Sequence, residues 1–249
     1  MLVEPVPGER AATATVDGQR LLILADYHAG IEAVLGTDGV ELDSQADRRR
    51  GRTLELVART NADRLVVLGD LVHAIGDPWD IEREELGELI GSLGVPVTLV
   101  KGNHDGEIEG LLDELDHDIT VTPPGGVRFG PVGFVHGHTW PAVDLFAADV
   151  ICTGHEHPVV RLEDSVGGSR IERAWLRGDI DTSGFQPHYD EPLDSGGTLV
   201  VFPAFNDRSG GTWINGDDQE FLSPFLPEGL AGGEAYLLDG ARLGPFETV

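Results

Sequence analysis

Five short clusters of the 249-residue chain carry residues that bind metals or move protons: Asp26-Tyr-His28, Gly69-Asp70, Gly102-Asn-His-Asp105, His136-Gly-His138 and Gly154-His-Glu-His157. Leaving Asp105 aside, they offer two aspartates, one asparagine and at least four histidines. Carboxylate and amide oxygens mixed with imidazoles, and without thiolates, suit Mn, Fe, Zn or Co, and the donor count is enough for two ions. Taken singly the clusters are weak signals. Gly-Asp after a strand is common, and a lone His-x-His is more often a surface pair than a ligand pair. What distinguishes this chain is the series.

Each cluster ends an apolar run: RLLILA before Asp26, DRLVVL before Gly69, VPVTLV before the Lys101-Gly-Asn-His-Asp stretch, VGFV before His136 and ADVICT before Gly154. Short Val/Leu/Ile runs bounded by glycine predict buried strands. Helical spacing lies between several of them, at Leu54, Val57 and Ala58, at Leu86, Leu89, Ile90 and Leu93, and at Ile108, Leu111, Leu112 and Leu115. Strand and helix in alternation predict an α/β sandwich, whose ligand site lies beyond the carboxyl ends of the strands, so the five clusters are expected on one rim. In extended chain, residues two apart point the same way, about 6.6 Å from each other. Asp26 with His28, and His155 with His157, are thus expected to face the rim together.

The order DxH, GD, GNHD, H, GHxH resembles the signature of the calcineurin-like metallophosphoesterases. GNHDG, HGH and GHEHP, followed by FPAFN and SPFL, are similar to the archaeal SbcD-related, ICC-like phosphoesterase branch. The resemblance runs from about residue 20 to the C-terminus. It implies a four-layer α/β/β/α sandwich of two mixed sheets, with two divalent metals, Mn first among them, bridged by an aspartate and a hydroxide that attacks phosphorus. Carried over residue by residue, it gives one metal Asp26, His28, Asp70 and His157, and the other Asp70, Asn103, His136 and His155. It makes His104 the proton donor to the leaving group, with Asp105 orienting it, and places His138 beside the phosphate. The implied substrate is a phosphate ester, with DNA and RNA among the classes open to it. The competing readings are a phosphomonoesterase or cyclic nucleotide phosphodiesterase, and a metal-binding scaffold of the same fold without turnover. A Rossmann-type nucleotide module is disfavoured because no GxGxxG is present.

We read a single domain over residues 1–249, with an N-terminal extension to about residue 19, an acidic then basic insertion over 36–52, and a loop over 180–197. Arg48, Arg49, Arg50 and Arg52 form the one basic island. Such runs are commonly solvated helix faces paired with acidic neighbours; the sharper expectation is that an arginine, Arg49, reaches a substrate phosphate. His73 is read either as a support for a metal ligand or as a loop cap. His117 and His188 receive no role, and Trp213 is expected in the core.

The charge balance is 44 Asp plus Glu against 17 Lys plus Arg, a formal net charge of −27. In dilute buffer that would argue against a nucleic-acid partner. The composition also resembles that of haloarchaeal proteins, and in molar salt the Debye length falls to about 3 Å, so net charge then says little about partners. Cys152, the only cysteine, permits no internal disulfide and is expected as a small core residue. With no long apolar stretch and no signal-peptide core in MLVEPVPGER, the expectation is a cytoplasmic protein without a membrane partner. The number of chains that assemble is not fixed by the sequence.

Overall fold

A computed structural model describes residues 1–37, 39, 42–163, 167–194, 196–216 and 220–249. Two mixed sheets stack face to face. The first runs in chain order: β1 (Val3–Pro5), β2 (Ala11–Val16), β3 (Gln19–Ala25), β4 (Arg64–Leu68), β5 (Val97–Val100) and β6 (Ile119–Thr122). Its first three strands are antiparallel and β3 to β6 are parallel. The crossovers carry α1 (Ile31–Thr37), α2 (Ala46–Thr60), α3 (Asp80–Ser92) and α4 (Ile108–Asp113). The segment expected as an N-terminal extension therefore supplies an edge of this sheet.

The remaining strands are β7 (Val127–Phe129), β8 (Val132–Val135), β9 (Val150–Thr153), β10 (Val159–Glu163), β11 (Ser169–Ile180), β12 (Thr198–Val201), β13 (Leu230–Leu237) and β14 (Arg242–Pro245). They build the second sheet in the order β14-β13-β11-β12-β9-β8-β7, with β10 paired to β11. Strands β8, β9 and β12 are parallel, and the other pairs are antiparallel.

The apolar runs are continuous because both faces of each central strand are covered. In β3, Leu22 and Leu24 pack toward the helices with Leu56, Leu86, Leu89 and Leu111, while Leu21, Ile23 and Ala25 pack toward the second sheet with Phe134, Cys152 and Phe202. The outer face of the second sheet is covered by aromatic side chains, Phe146, Phe185, Phe225 and Phe246, from short turns and from α5 (Thr182–Phe185). Cys152 lies in the layer between the sheets, as expected.

Three local expectations change. In α2 the buried face is Arg49, Thr53, Leu56 and Thr60, whereas Ala58 is exposed, so the inward stripe begins with an arginine. The 36–52 segment turns helical at Ala46; Asp38, Val40 and Glu41 lie outside the described residues. The 180–197 loop contains α5 and the 3-10 turn Gln186–His188, with Ser195 outside the described residues.

Candidate metal centre

Strands β3, β4, β5, β8 and β9 each end at one of the five clusters, and the parallel order brings those ends to one rim. The pairs converge by a different backbone route from the one expected. Asp26, His28, Asp70, His155 and His157 all lie beyond their strands with φ between 47° and 69°, the left-handed region. Pleated alternation therefore does not aim them. Two left-handed residues around a third turn the chain sharply enough for both side chains to face one point. A non-glycine residue held there costs of order 1–3 kcal/mol, and such residues collect at functional sites.

Gly69 and Gly102 make the approach possible. A Cβ at Gly102 would overlap the Asp70 carboxylate and backbone, and one at Gly69 would overlap the His136 ring.

Two groups of donors result. Asp26, His28 and His157 each offer an atom within 4.8 Å of the others, and so do Asp70, His136 and His155. Asp70 stands between them: its Oδ2 is 3.8 Å from His28 Nε2, and its Oδ1 is 3.4 Å from His136 Nε2. Asn103 Oδ1 approaches His136 Nε2 at 3.1 Å, joining the second group at the open side of the rim.

The imidazoles are aimed by their outer nitrogens. His136 Nδ1 donates to the Leu68 carbonyl at 2.8 Å and His157 Nδ1 to the Gly210 carbonyl at 3.2 Å, which leaves each Nε2 facing inward. His157 Nε2 is buried without a hydrogen-bond partner, lying 3.2 Å from Asp26 Oδ1. Burial pushes the Asp26 and Asp70 carboxyls up, but His157 beside Asp26 and His136 beside Asp70 outweigh it and hold both below the usual range. Burial alone would lower His136; Asp70 and Asp26 raise it to about 9. Two buried carboxylates drawing protons onto their neighbours, an inward-facing His157 nitrogen without a hydrogen-bond partner, and a nitrogen–oxygen donor set fit divalent metal ions.

His104 is half-buried at the rim, with its backbone N–H donating to Asp70 Oδ1 at 3.0 Å. Its Nδ1 is hydrogen-bonded to the His73 carbonyl, and its ring stacks on that of His73 at 5.2 Å. Asp105 does not orient this imidazole. Its Oδ2 accepts from Gly102 N–H at 2.9 Å and its Oδ1 from Leu71 and Val72 N–H at 2.9 and 3.4 Å, so the fully buried carboxylate ties the two loops that carry Asp70 and Asn103. His138 sits beside His136 and His155, ring centroids 5.3 and 6.1 Å away, with Nδ1 unpartnered.

Arg49 is a correction. It is buried, with Nε and Nη2 on Glu85 at 2.9 and 2.8 Å and Nη1 and Nη2 on Glu32 at 2.6 and 3.0 Å, so its guanidinium has no face left for a substrate. Glu85 also accepts from Gly30 N–H at 2.9 Å, which anchors the loop after His28. Trp213 is a second correction, since it is 40% exposed and lines a cavity of about 530 Å³ that opens beside His157.

Several supporting residues were not foreseen. Asn206 donates to the carbonyls of Tyr27 and His28, at 2.8 and 3.0 Å, and its own N–H reaches the Asp26 carbonyl. Glu82 accepts from the N–H groups of His73, Ala74 and Trp79. The FPAFN motif is the signal that could have marked Asn206; nothing in a helical glutamate marks Glu82. His73 Nδ1 lies 3.2 Å from His28 Nδ1, where a ligand's support belongs, and it forms a third trio with His28 and His104. His117 bonds the Val95 carbonyl and His188 stacks on Trp140, and neither belongs to a donor trio among the described residues.

A family model described as calcineurin-like phosphoesterase matches residues 19–159. Among solved structures, the Pseudomonas putida nuclease MPE is 21% identical over 97% of this chain and 100% of that one, with a TM-score of 0.58, a likeness of fold. Yfce, a phosphoesterase from E. coli, is 25% identical over 58% of this chain and 74% of that one, with a TM-score of 0.34 that carries no argument. No curated protein matches.

Proposed function

Because the chain belongs to the calcineurin-like phosphoesterase family, we propose that it hydrolyses a phosphodiester at a two-metal centre, with DNA or RNA as the substrate class. The observation that carries this reading is Asp70 between two donor groups, one oxygen turned to His28 and the other to His136. Asp26, His28, Asp70 and His157 would hold one ion, and Asp70, Asn103, His136 and His155 the other. When bound, such ions supply Lewis acidity to the phosphoryl oxygens and an acidified water as nucleophile; Mn, Fe, Zn and Co all suit the donors.

The chain's own residues do the rest. His104, held at Nδ1 by the His73 carbonyl, presents Nε2 to the rim and gives its proton to the leaving oxygen. His138 Nδ1, unpartnered beside the second group, is placed to donate to a non-bridging oxygen. Asp105 holds the Gly102 and Leu71 loops, and so the spacing between Asn103 and Asp70. The surplus of acid over base fits a surface adapted to molar salt. Among the described residues no helix is long and apolar enough to cross a membrane.

The test is hydrolysis by purified, Mn-loaded protein in dilute buffer and in molar KCl. Bis-p-nitrophenyl phosphate, single- and double-stranded DNA, RNA, cyclic nucleotides and a phosphomonoester are compared. Hydrolysis of diesters, abolished by chelation and strengthened by salt, supports the reading. A preference for the monoester or cyclic nucleotide moves the substrate class, and no turnover with metals retained favours the scaffold.

A further inference from the structure

Resting on the phosphodiesterase reading, we infer that Arg10, Arg48, Arg52 and Arg173, gathered around Asp207, form a pocket for a second phosphate of the substrate, next to the one being cleaved.

Arg10 forms an ion pair with Asp207 Oδ1 and donates to the Phe205 carbonyl at 3.2 Å. Arg48 Nη1 lies 3.6 Å from Asp207 Oδ2. Arg173 Nη2 donates to the carbonyls of Asn206, Asp207 and Ser209 at 2.9, 3.2 and 2.9 Å. Arg52 lies over the Phe205 ring, 5.1 Å from its centroid, and is paired to Glu9. These residues come from the turn before β2, from α2 and from β11, so a run of basic sequence does not account for the cluster.

The charge count is what makes the cluster informative. The chain has 44 acidic residues against 17 basic ones, yet here four arginines share two carboxylates: Asp207 faces Arg10 and Arg48 and lies close to Arg173, and Glu9 pairs with Arg52. Like charges brought together and partly desolvated repel one another unless an anion completes the arrangement. Two donors there are spare, since Arg10 Nε and Arg173 Nη1 are buried without a hydrogen-bond partner. Burial and the neighbouring Arg10 hold the Arg173 guanidinium down to about 10. A phosphate diester, whose one negative charge is shared by two non-bridging oxygens that match forked N–H donors, supplies what is missing.

Position supplies the link to the rim. Asp207 follows Asn206, whose backbone N–H bonds the Asp26 carbonyl and whose side chain bonds the carbonyls of Tyr27 and His28. The Gly210 carbonyl of the same segment receives the His157 Nδ1–H. The arginines therefore grip the outer side of the loop whose inner side holds the candidate ligands. Arg49 and Arg50, in the same run as Arg48 and Arg52, are taken up by Glu32, Glu85, Asp47 and Glu88.

The test is binding of a fluorescein-labelled single-stranded phosphorothioate oligonucleotide, which resists hydrolysis, to Mn-loaded wild type, Arg48→Gln, Arg48→Glu and Arg10→Gln over a series of KCl concentrations. Inorganic phosphate is titrated in parallel. The Arg48 side chain is 72% exposed, so its variants fold, which thermal unfolding checks. Arg48→Gln is expected to weaken the oligonucleotide about three- to tenfold, and to reduce the slope of log affinity against log salt by about 0.7, as for one lost single-strand contact. Arg48→Glu weakens it further. A matching loss for inorganic phosphate identifies the pocket's ligand as a terminal phosphate, and a loss confined to the oligonucleotide identifies a backbone phosphate. Wild type that does not bind, or variants that bind as wild type does, overturn the inference. Failure of the underlying reading looks different, as an Mn-loaded wild type that hydrolyses no phosphate ester whatever it binds.

Discussion

The backbone N–H of His104 donates to Asp70 Oδ1 at 3.0 Å, so the side chain proposed to protonate the leaving group is registered on the carboxylate proposed to hold both ions. The two roles are coupled in geometry but separable in chemistry. Replacing His104 by Asn removes a proton donor and leaves its backbone N–H in place. It should lower kcat/KM on a nucleotide diester about 10²-fold while costing bis-p-nitrophenyl phosphate little, because nitrophenolate leaves unaided. Asp70→Asn should impair both substrates and lose metal. Equal losses on the two substrates in the His104 variant, with metal retained, would reassign His104 to binding the phosphate.

Arg49 bears on stability. Glu85 takes two of its hydrogen bonds and that of Gly30 N–H, so Glu85→Ala leaves a buried guanidinium half-paired and should cost about 3–5 kcal/mol in urea unfolding. Arg50→Gln, which removes pairs to exposed Asp47 and Glu88, should cost at most about 1 kcal/mol. The reverse order would mean that the Glu32–Arg49–Glu85 network is not formed.

The metal-free protein should be most stable near pH 6.5. Above it, His136, raised to about 9 by Asp70 and Asp26 against burial, contributes stability that is complete below its unfolded value of about 6.5 and is lost as pH rises through 9. Below it, burial holds His28 at about 3 and His155 at about 4, and their contribution is lost as pH falls from 6.5 toward those values. Metal ions require neutral imidazoles, so the loaded protein should instead gain stability from pH 6.5 to 9. Melting temperatures with and without EDTA at pH 5, 6.5 and 9 check the crossing; parallel profiles would contradict it.

The strand ends were legible because apolar runs closed by glycine reflect strands buried on both faces, and Asp26, Asp70 and His136 are where those runs stop. The convergence of His28 and His157 was legible only as a spacing. The left-handed backbone that aims them has no residue signature beyond a tolerance that Asp and His share with Asn. Strand β11 was hidden because SRIERAWLRGDI mixes charges with a short buried stretch, Ala174 to Leu176, and resembles no alternating pattern. Arg49 was misread for a general reason. A basic run predicts a solvated face, but a helix turns by 100° per residue, and the stripe through Thr53, Leu56 and Thr60 brings one arginine of the run inward, where Glu32 and Glu85 meet it.

The shared carboxylate of Asp70 is the centre of the account, and the metal content of the purified chain tests it most directly. After Mn loading and removal of free metal, elemental analysis should find close to two ions per chain. A content of one or fewer after that loading would contradict a paired centre built on Asp70.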